Sequence, residues 1–299
     1  MPSSATSPVT VPAPRPVGSH VFVGKGLVAG ALRAAEEIGA EAVQVFVGNP
    51  RGWRLTEGDP AVDEAFRAAC AARGVRTFVH TPYLVNLGSP TAATYERSVA
   101  TVAQNLERAA RIGAEGVVVH TGSCVDDGAF DQALCQVREG LLPVLDALDE
   151  TSPWLLLEPT AGQGRSLCAG VEELAPYLEA LDRHPRVGVC LDTCHVFAAG
   201  APLDKPGGAA RTLDLLTEIA GPGRLRLVHA NDSKDPRGSL RDRHERVGEG
   251  HIGENAFAEL LAHPATDGVP FVAETPGSGE VGSPCLPLLK KLRDAAGDR

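Results

Sequence analysis

The sequence predicts a single-domain α/β fold, a (β/α)8 TIM barrel, on three observations. Eight short β-branched or aliphatic runs alternate with Ala/Leu/Glu/Arg segments of helical period, the pattern of repeated βα units around a parallel sheet. The length, 299 residues, suits eight such units in one domain. No G-x-G-x-x-G opens a helix after an early strand, so a dinucleotide-binding doubly wound sheet has little support.

Residues 1–19 (MPSSATSPVTVPAPRPVGS) are rich in Pro, Ser and Thr and carry no acidic group. Such a stretch cannot bury enough apolar surface to order itself, and a flexible tail is expected there, with the barrel over 20–299. Strands are expected at 20–23, 42–47, 77–80, 116–120, 154–158, 187–192, 225–229 and 271–274. Helices are expected at 26–38, 61–72, 94–112 and 130–148, the first three closed by Gly39, Gly74 and Gly113. The glycines of Ala161-Gly-Gln-Gly164 predict a tight turn after the fifth strand.

Apolar residues make up 43% of the chain and charged residues 22%, which excludes a wholly disordered or fibrous protein. No apolar run is long enough to span a membrane, and residues 1–19 lack the apolar core of a secretion signal, so a cytoplasmic protein with no membrane partner is expected. Seven cysteines without a C-x-x-C pair read as reduced, mostly buried thiols. The formal charge of −10 argues against coating nucleic acid through bulk charge. It does not exclude a nuclease, because carboxylates that hold cations are counted in it.

Six of the eight runs end in a side chain able to ligate a metal: His80, His120, Glu158, Asp192, His229 and Glu274. Each alone has an ordinary explanation, a hydrogen-bonded structural histidine or a carboxylate that caps the next helix. Together they differ, because all strand C-termini of a parallel barrel open on one face. Three imidazoles and three carboxylates gathered there would be costly to bury unpaired. Local spacing adds His195, in Asp192-Thr-Cys-His195, and Asp242 with His244, two apart on an extended segment. Five imidazoles and four carboxylates favour Zn, Mn or Fe over Ca or Mg. Nine donors are too many for one ion and suggest two or three, an arrangement suited to in-line displacement at phosphorus. Cys190 and Cys194 read as core packing, His184, His251 and His263 as surface residues, and His20 has no assigned role.

The strings VHTPYLVNLGSP (79–90), HTGS (120–123), EPTAGQG (158–164), VGVCLDTCHVFAAG (187–200), HANDSKDPRGSLRDRHERVGEGHIG (229–253) and FVAETPG (271–277) closely resemble the endonuclease IV family of apurinic/apyrimidinic endonucleases. The likeness runs in order over roughly residues 18–285. It implies a barrel with three zinc ions, replaceable by Mn or Fe, that hydrolyses the phosphodiester 5′ to an abasic site in duplex DNA. The products are a 3′-hydroxyl and a 5′-deoxyribose phosphate, and blocked 3′ ends are also cleared. By the same likeness, His80, His120 and Glu158 hold the first ion. Glu158 bridges to a second, held by Asp192, His229 and Glu274, and His195, Asp242 and His244 hold the third. Glu158 and Glu274 orient the attacking hydroxide, Arg51, Tyr83 and Leu84 wedge the DNA through its minor groove, and a monomer is expected. Three divalent ions would offset six of the ten net negative charges.

Two other readings compete. Xylose-isomerase-like sugar isomerases and epimerases also gather His, Asp and Glu at strand ends, usually around one or two ions, and Asp242, His244 and the wedge residues separate this sequence from them. A catalytically silent damage-binding protein would have no physical use for nine preserved donors.

Overall fold

A computed structural model describes residues 14–126, 128–277 and 282–297. Eight parallel strands close a barrel: β1 (Val17–His20), β2 (Ala42–Val45), β3 (Arg76–His80), β4 (Gly116–His120), β5 (Trp154–Glu158), β6 (Val187–Asp192), β7 (Leu225–His229) and, after a short antiparallel pair, β10 (Phe271–Ala273). The pair is β8 (Asp232–Ser233) with β9 (His244–Glu245). Around the barrel lie α1 (Arg33–Ile38), α2 (Pro60–Arg73), α3 (Ala92–Arg111), α4 (Phe130–Asp146), α5 (Leu174–Ala180), α6 (Thr193–Ala199), α7 (Gly208–Ala220), α8 (Glu254–Ala262) and α9 (Leu286–Gly297). The single-domain TIM barrel read from the sequence is the fold observed.

The largest correction concerns the chain's start. The first strand is Val17–His20 rather than 20–23, and Val17, Gly18 and Ser19, expected in the tail, belong to the barrel. Gly18 explains why the strand was not legible. A Cβ there would lie 1.7 Å from the Ala42 carbonyl oxygen, so the barrel closes through a residue that contributes no apolar signal. Arg15 is buried, donating to Thr266 Oγ1 at 3.0 Å and pairing with Asp267. The tail expected over 1–13 lies outside the described residues.

The expected helix at 26–38 is a π-type turn, Leu27–Leu32, running into α1. Asp59 caps α2 by accepting the Ala61 N–H at 2.9 Å, with Pro60 at the first position. Gly39, Gly74 and Gly113 all adopt left-handed backbone at helix ends.

Apolar packing falls into two bodies. A large one fills the space between strands and helices. A smaller one lies inside the barrel and takes one residue from each of seven strands: Ala42, Phe78, Val118, Leu156, Cys190, Leu227 and Val272. At β7 the pairing with β6 jumps from Val189↔Leu225 to Cys190↔Leu227, leaving Arg226 as the extra residue of a bulge. Leu225 consequently packs outside the barrel and Leu227 inside it, two residues apart on a strand that would otherwise face both the same way.

Candidate metal centre

Side chains alternate along a strand, so the interior position that follows each member of the barrel plug is two residues further on. From Phe78, Val118, Leu156, Cys190, Leu227 and Val272 that step reaches His80, His120, Glu158, Asp192, His229 and Glu274. The six strand-end residues read from the sequence are therefore the next interior tier of the barrel, at its C-terminal mouth. The bulge at Arg226 is what brings His229 to the interior phase.

Glu158 sits at the centre. Its Oε2 lies 3.2 Å from His80 Nε2 and 3.3 Å from His120 Nε2, and its Oε1 lies 3.0 Å from His229 Nδ1. His229 Nδ1 also faces Glu274 Oε2 at 3.2 Å and Asp192 Oδ2 at 3.7 Å. Asp192 divides its carboxylate. One oxygen caps α6 by accepting the His195 N–H at 2.9 Å, and the other turns into the site, where Asn231 Nδ2 donates to it at 2.7 Å. The helix-capping role and the site role that the sequence offered as alternatives are thus filled by one residue.

His195 enters on the first turn of α6, Asp242 from the segment between β8 and β9, and His244 as the first residue of β9. Asp242 Oδ1 lies 3.3 Å from His195 Nε2 and 3.1 Å from His244 Nε2. This segment is held by a carboxylate the sequence reading missed. Asp232, fully buried, accepts backbone N–H groups from Gly248 at 2.9 Å, Ile252 at 2.8 Å and Gly253 at 3.2 Å. A Cβ at Gly250 would meet Asp232 Oδ1 at 2.4 Å, so the glycines of VGEGHIG let the backbone wrap this one side chain.

Three groups of donors follow, each with ligand atoms within 4.8 Å of one another: His80, His120 and Glu158; Asp192, His229 and Glu274; and Asp192, His195 and His244, beside which Asp242 joins His244. Cys190 and Cys194 approach the same groups. Burial pushes the Cys190 thiol up to about 12 and the Cys194 thiol higher still, so both remain protonated packing residues.

The chain alone leaves this cluster incompletely satisfied. The buried Nε2 atoms of His195 and His244 make no hydrogen bond, although Asp242 stands beside both. Burial lowers the His195 pKa, but Asp192, Asp242 and Glu158 outweigh it and raise the group to about 10. For His244, burial is likewise outweighed by Asp192, Asp242 and Glu274, and the pKa rises to about 9. Glu158 is held well below the usual carboxylate range, its burial overcome by His229 and His120. Imidazoles and carboxylates this close are a donor set that divalent cations fit, and the nitrogen and oxygen mixture suits zinc.

A cavity of about 760 Å³ opens over the cluster, lined at its mouth by Phe22, Phe46, Asn49, Pro50 and Tyr83. Tyr83 is 55% exposed and Leu84 38% exposed on the loop after β3. Arg51 is exposed on the loop after β2, and the two loops are tied by the Tyr83 N–H donating to the Pro50 carbonyl at 3.0 Å. His184, His251 and His263 line no part of the cavity.

The sequence reading left three further buried or half-buried polar residues unassigned. Gln44 and His20 stand two residues beyond Ala42 and Gly18 and complete the interior tier on β2 and β1. Asn231 links two strands, its Nδ2 donating to Asp192 and its Oδ1 accepting the Glu274 N–H at 2.8 Å.

Comparison with known proteins agrees with this geometry. The family model described as the xylose isomerase-like TIM barrel matches residues 32–296. The chain is 57% identical over 293 residues to the probable endonuclease 4 of Streptomyces coelicolor, covering 98% of this chain and 99% of that one. Among solved structures, endonuclease IV from Thermus thermophilus matches with a TM-score of 0.79 at 35% identity, over 95% of this chain and 99% of that one. A D-tagatose 3-epimerase-like protein matches with a TM-score of 0.68 at 18% identity, over 95% of this chain and 97% of that one, a likeness of fold alone. On the near full-length identity to the first two, this chain belongs to the endonuclease IV family of xylose isomerase-like TIM barrels.

Proposed function

We propose that this protein is a zinc-dependent deoxyribonuclease of DNA repair that hydrolyses the phosphodiester 5′ to an abasic site in duplex DNA, leaving a 3′-hydroxyl and a 5′-deoxyribose phosphate. The same centre clears blocked 3′ ends. One observation carries the reading: nine imidazole and carboxylate donors meet at one barrel mouth, under a cavity wide enough for an extruded nucleotide. Family membership gives that geometry its substrate class.

His80, His120 and Glu158 would hold one ion, Asp192, His229 and Glu274 with Glu158 a second, and His195, Asp242 and His244 a third. Zinc bound there supplies Lewis acidity to the phosphate and lowers the pKa of water near it. Glu158 and Glu274, which both face His229 Nδ1, would orient the attacking water. An abasic nucleotide leaves the stack at low cost, because no base pairing opposes its extrusion. Tyr83 and Leu84, apolar and exposed beside Arg51, fill the gap from the minor groove. Burial and the carboxylates Glu274, Glu158 and Asp242 push the Tyr83 pKa up to about 12, so it acts as a neutral wedge. The protein acts as a monomer in the cytoplasm. Among the described residues no helix is long and apolar enough to cross a membrane.

A sugar isomerase would share the fold, and Asp242 with His244 argues against it by supplying a third group of donors. The test is a nicking assay on a duplex bearing one abasic site, with product ends identified and a chelator as control. Cleavage 5′ to the site, lost with the chelator, is expected. Fully metallated protein that leaves the duplex intact while converting a ketose would overturn the proposal.

A further inference from the structure

We infer that Gln44 is a positioning residue that fixes the tautomer of His229, and that Gln44 and His20 together pin one oxygen of Glu274 so that its other oxygen stays turned toward His229. This rests on the reading of the tier as a metal centre and extends it to two residues without ligand roles.

Gln44 is fully buried on β2, within an otherwise apolar AVQV strand. Its Oε1 lies 2.8 Å from His229 Nε2 and its Nε2 lies 2.7 Å from Glu274 Oε1. The reverse amide orientation would set a carbonyl oxygen against a carboxylate, so the network dictates which end is which. A carbonyl oxygen facing a ring nitrogen requires the hydrogen on that nitrogen. His229 therefore carries a hydrogen on Nε2, which leaves Nδ1 as the ring nitrogen available to ligate. Nδ1 is the atom surrounded by Glu158 Oε1, Glu274 Oε2 and Asp192 Oδ2. With the other tautomer, a hydrogen would point to where a cation belongs.

The second half of the assignment concerns Glu274. Its Oε1 receives the Gln44 amide, and His20 Nδ1 stands 3.1 Å from the same oxygen. Its Oε2 faces His229 Nδ1, with Asn231 Nδ2 at 3.4 Å. The Gln44 amide donates to one oxygen, His20 Nδ1 packs against that oxygen and stands 3.0 Å from the same amide nitrogen, and the site lies on the other oxygen, which stops the carboxylate from rotating. Outer partners of this kind typically change metal affinity by roughly 10–100-fold when removed.

The experiment uses zinc alone as probe, titrated into the metal-free full chain in competition with a chromophoric chelator, with folding checked by circular dichroism. The His229 Nε2–H proton is followed by NMR in the zinc-loaded protein. Gln44→Leu should weaken zinc binding by about 10–100-fold and lose the solvent-protected Nε2–H signal. His20→Ala should weaken binding less and keep the signal. Gln44→Glu keeps an acceptor for Nε2–H but sets an oxygen against Glu274 Oε1, so it should retain the signal while weakening zinc binding, which keeps the test decisive should leucine prevent folding. A folded Gln44→Leu that binds zinc as the wild type does, or a Gln44→Glu without the protected proton, overturns the Gln44 assignment alone. A wild type that takes up no zinc overturns the metal-centre reading and this one with it.

Discussion

Inside the barrel, two successive tiers of side chains differ by two residues along each strand and by almost everything in chemistry. The lower tier, Phe78, Val118, Leu156, Cys190, Leu227 and Val272 with Ala42, is apolar and sealed. The upper tier, on the same strands and the same interior face, holds three imidazoles, three carboxylates, His20 and Gln44. Strand alternation delivers both with equal geometric certainty. What differs is how each tier is stabilised. Dispersion and burial suffice for the plug, whereas at the upper tier the buried Nε2 atoms of two neighbouring histidines are left without hydrogen bonds, an imbalance that bound cations would relieve. A barrel can carry a costly site at its mouth because the tier beneath is apolar and buried.

The strongest way to break this contrast is to remove the residue that every donor group approaches. Glu158→Ala should cost at least one zinc per chain and lower abasic-site nicking by at least ~100-fold, more than loss of an outer partner would. Metal analysis and a nicking time course check both. Retained zinc with retained rate would mean that the tier is a structural network.

Acidity probes the same barrel mouth without mutation. In the metal-free fold His195 and His244 hold protons up to about 10 and 9, so below pH 9 zinc must displace both. Zinc affinity should therefore rise with pH, by up to about 100-fold per pH unit in the neutral range, and level off above about 10. Titration calorimetry in buffers of different ionisation enthalpy reads the released protons. Affinity that is flat from pH 6 to 9, or falls across it, would contradict the assignment.

The lower tier should answer differently. Leu156→Ala leaves a cavity in the plug and should destabilise the metal-free protein by about 2–5 kcal/mol in urea, with zinc stoichiometry unchanged at low denaturant. Loss of zinc in this variant would show that the tiers are not separable. Outside both tiers, Tyr83→Ala should weaken binding to abasic duplex by about 1–3 kcal/mol, the range for an aromatic stacked on a base, with zinc content intact. Fluorescence anisotropy on zinc-loaded protein reads this, and a loss of zinc would give Tyr83 a structural role instead.

Much of the upper tier was legible because its polar residues end apolar runs, where a charged side chain stands out. Gln44 was not, since a neutral amide within a strand carries no such contrast, and only the pairing with His229 reveals it. His20 escaped because the strand that carries it contains a glycine required by barrel closure, so periodicity pointed three residues too far along. Asp242 and His244 were legible by their spacing of two, but Asp232 was not, because its partners are backbone N–H groups that no side-chain pattern encodes. The bulge at Arg226 leaves the apolar pattern of LRLVH intact while reversing which face Leu225 presents.

If the upper tier together with His195, Asp242 and His244 is a cradle for three cations, anomalous scattering at the zinc edge from crystals of the zinc-loaded protein shows it most directly. Three peaks are predicted: one among His80, His120 and Glu158, one among Asp192, His229 and Glu274, and one among His195, Asp242 and His244. A mouth without peaks, or a single ion with His195 and His244 still unligated, would contradict it.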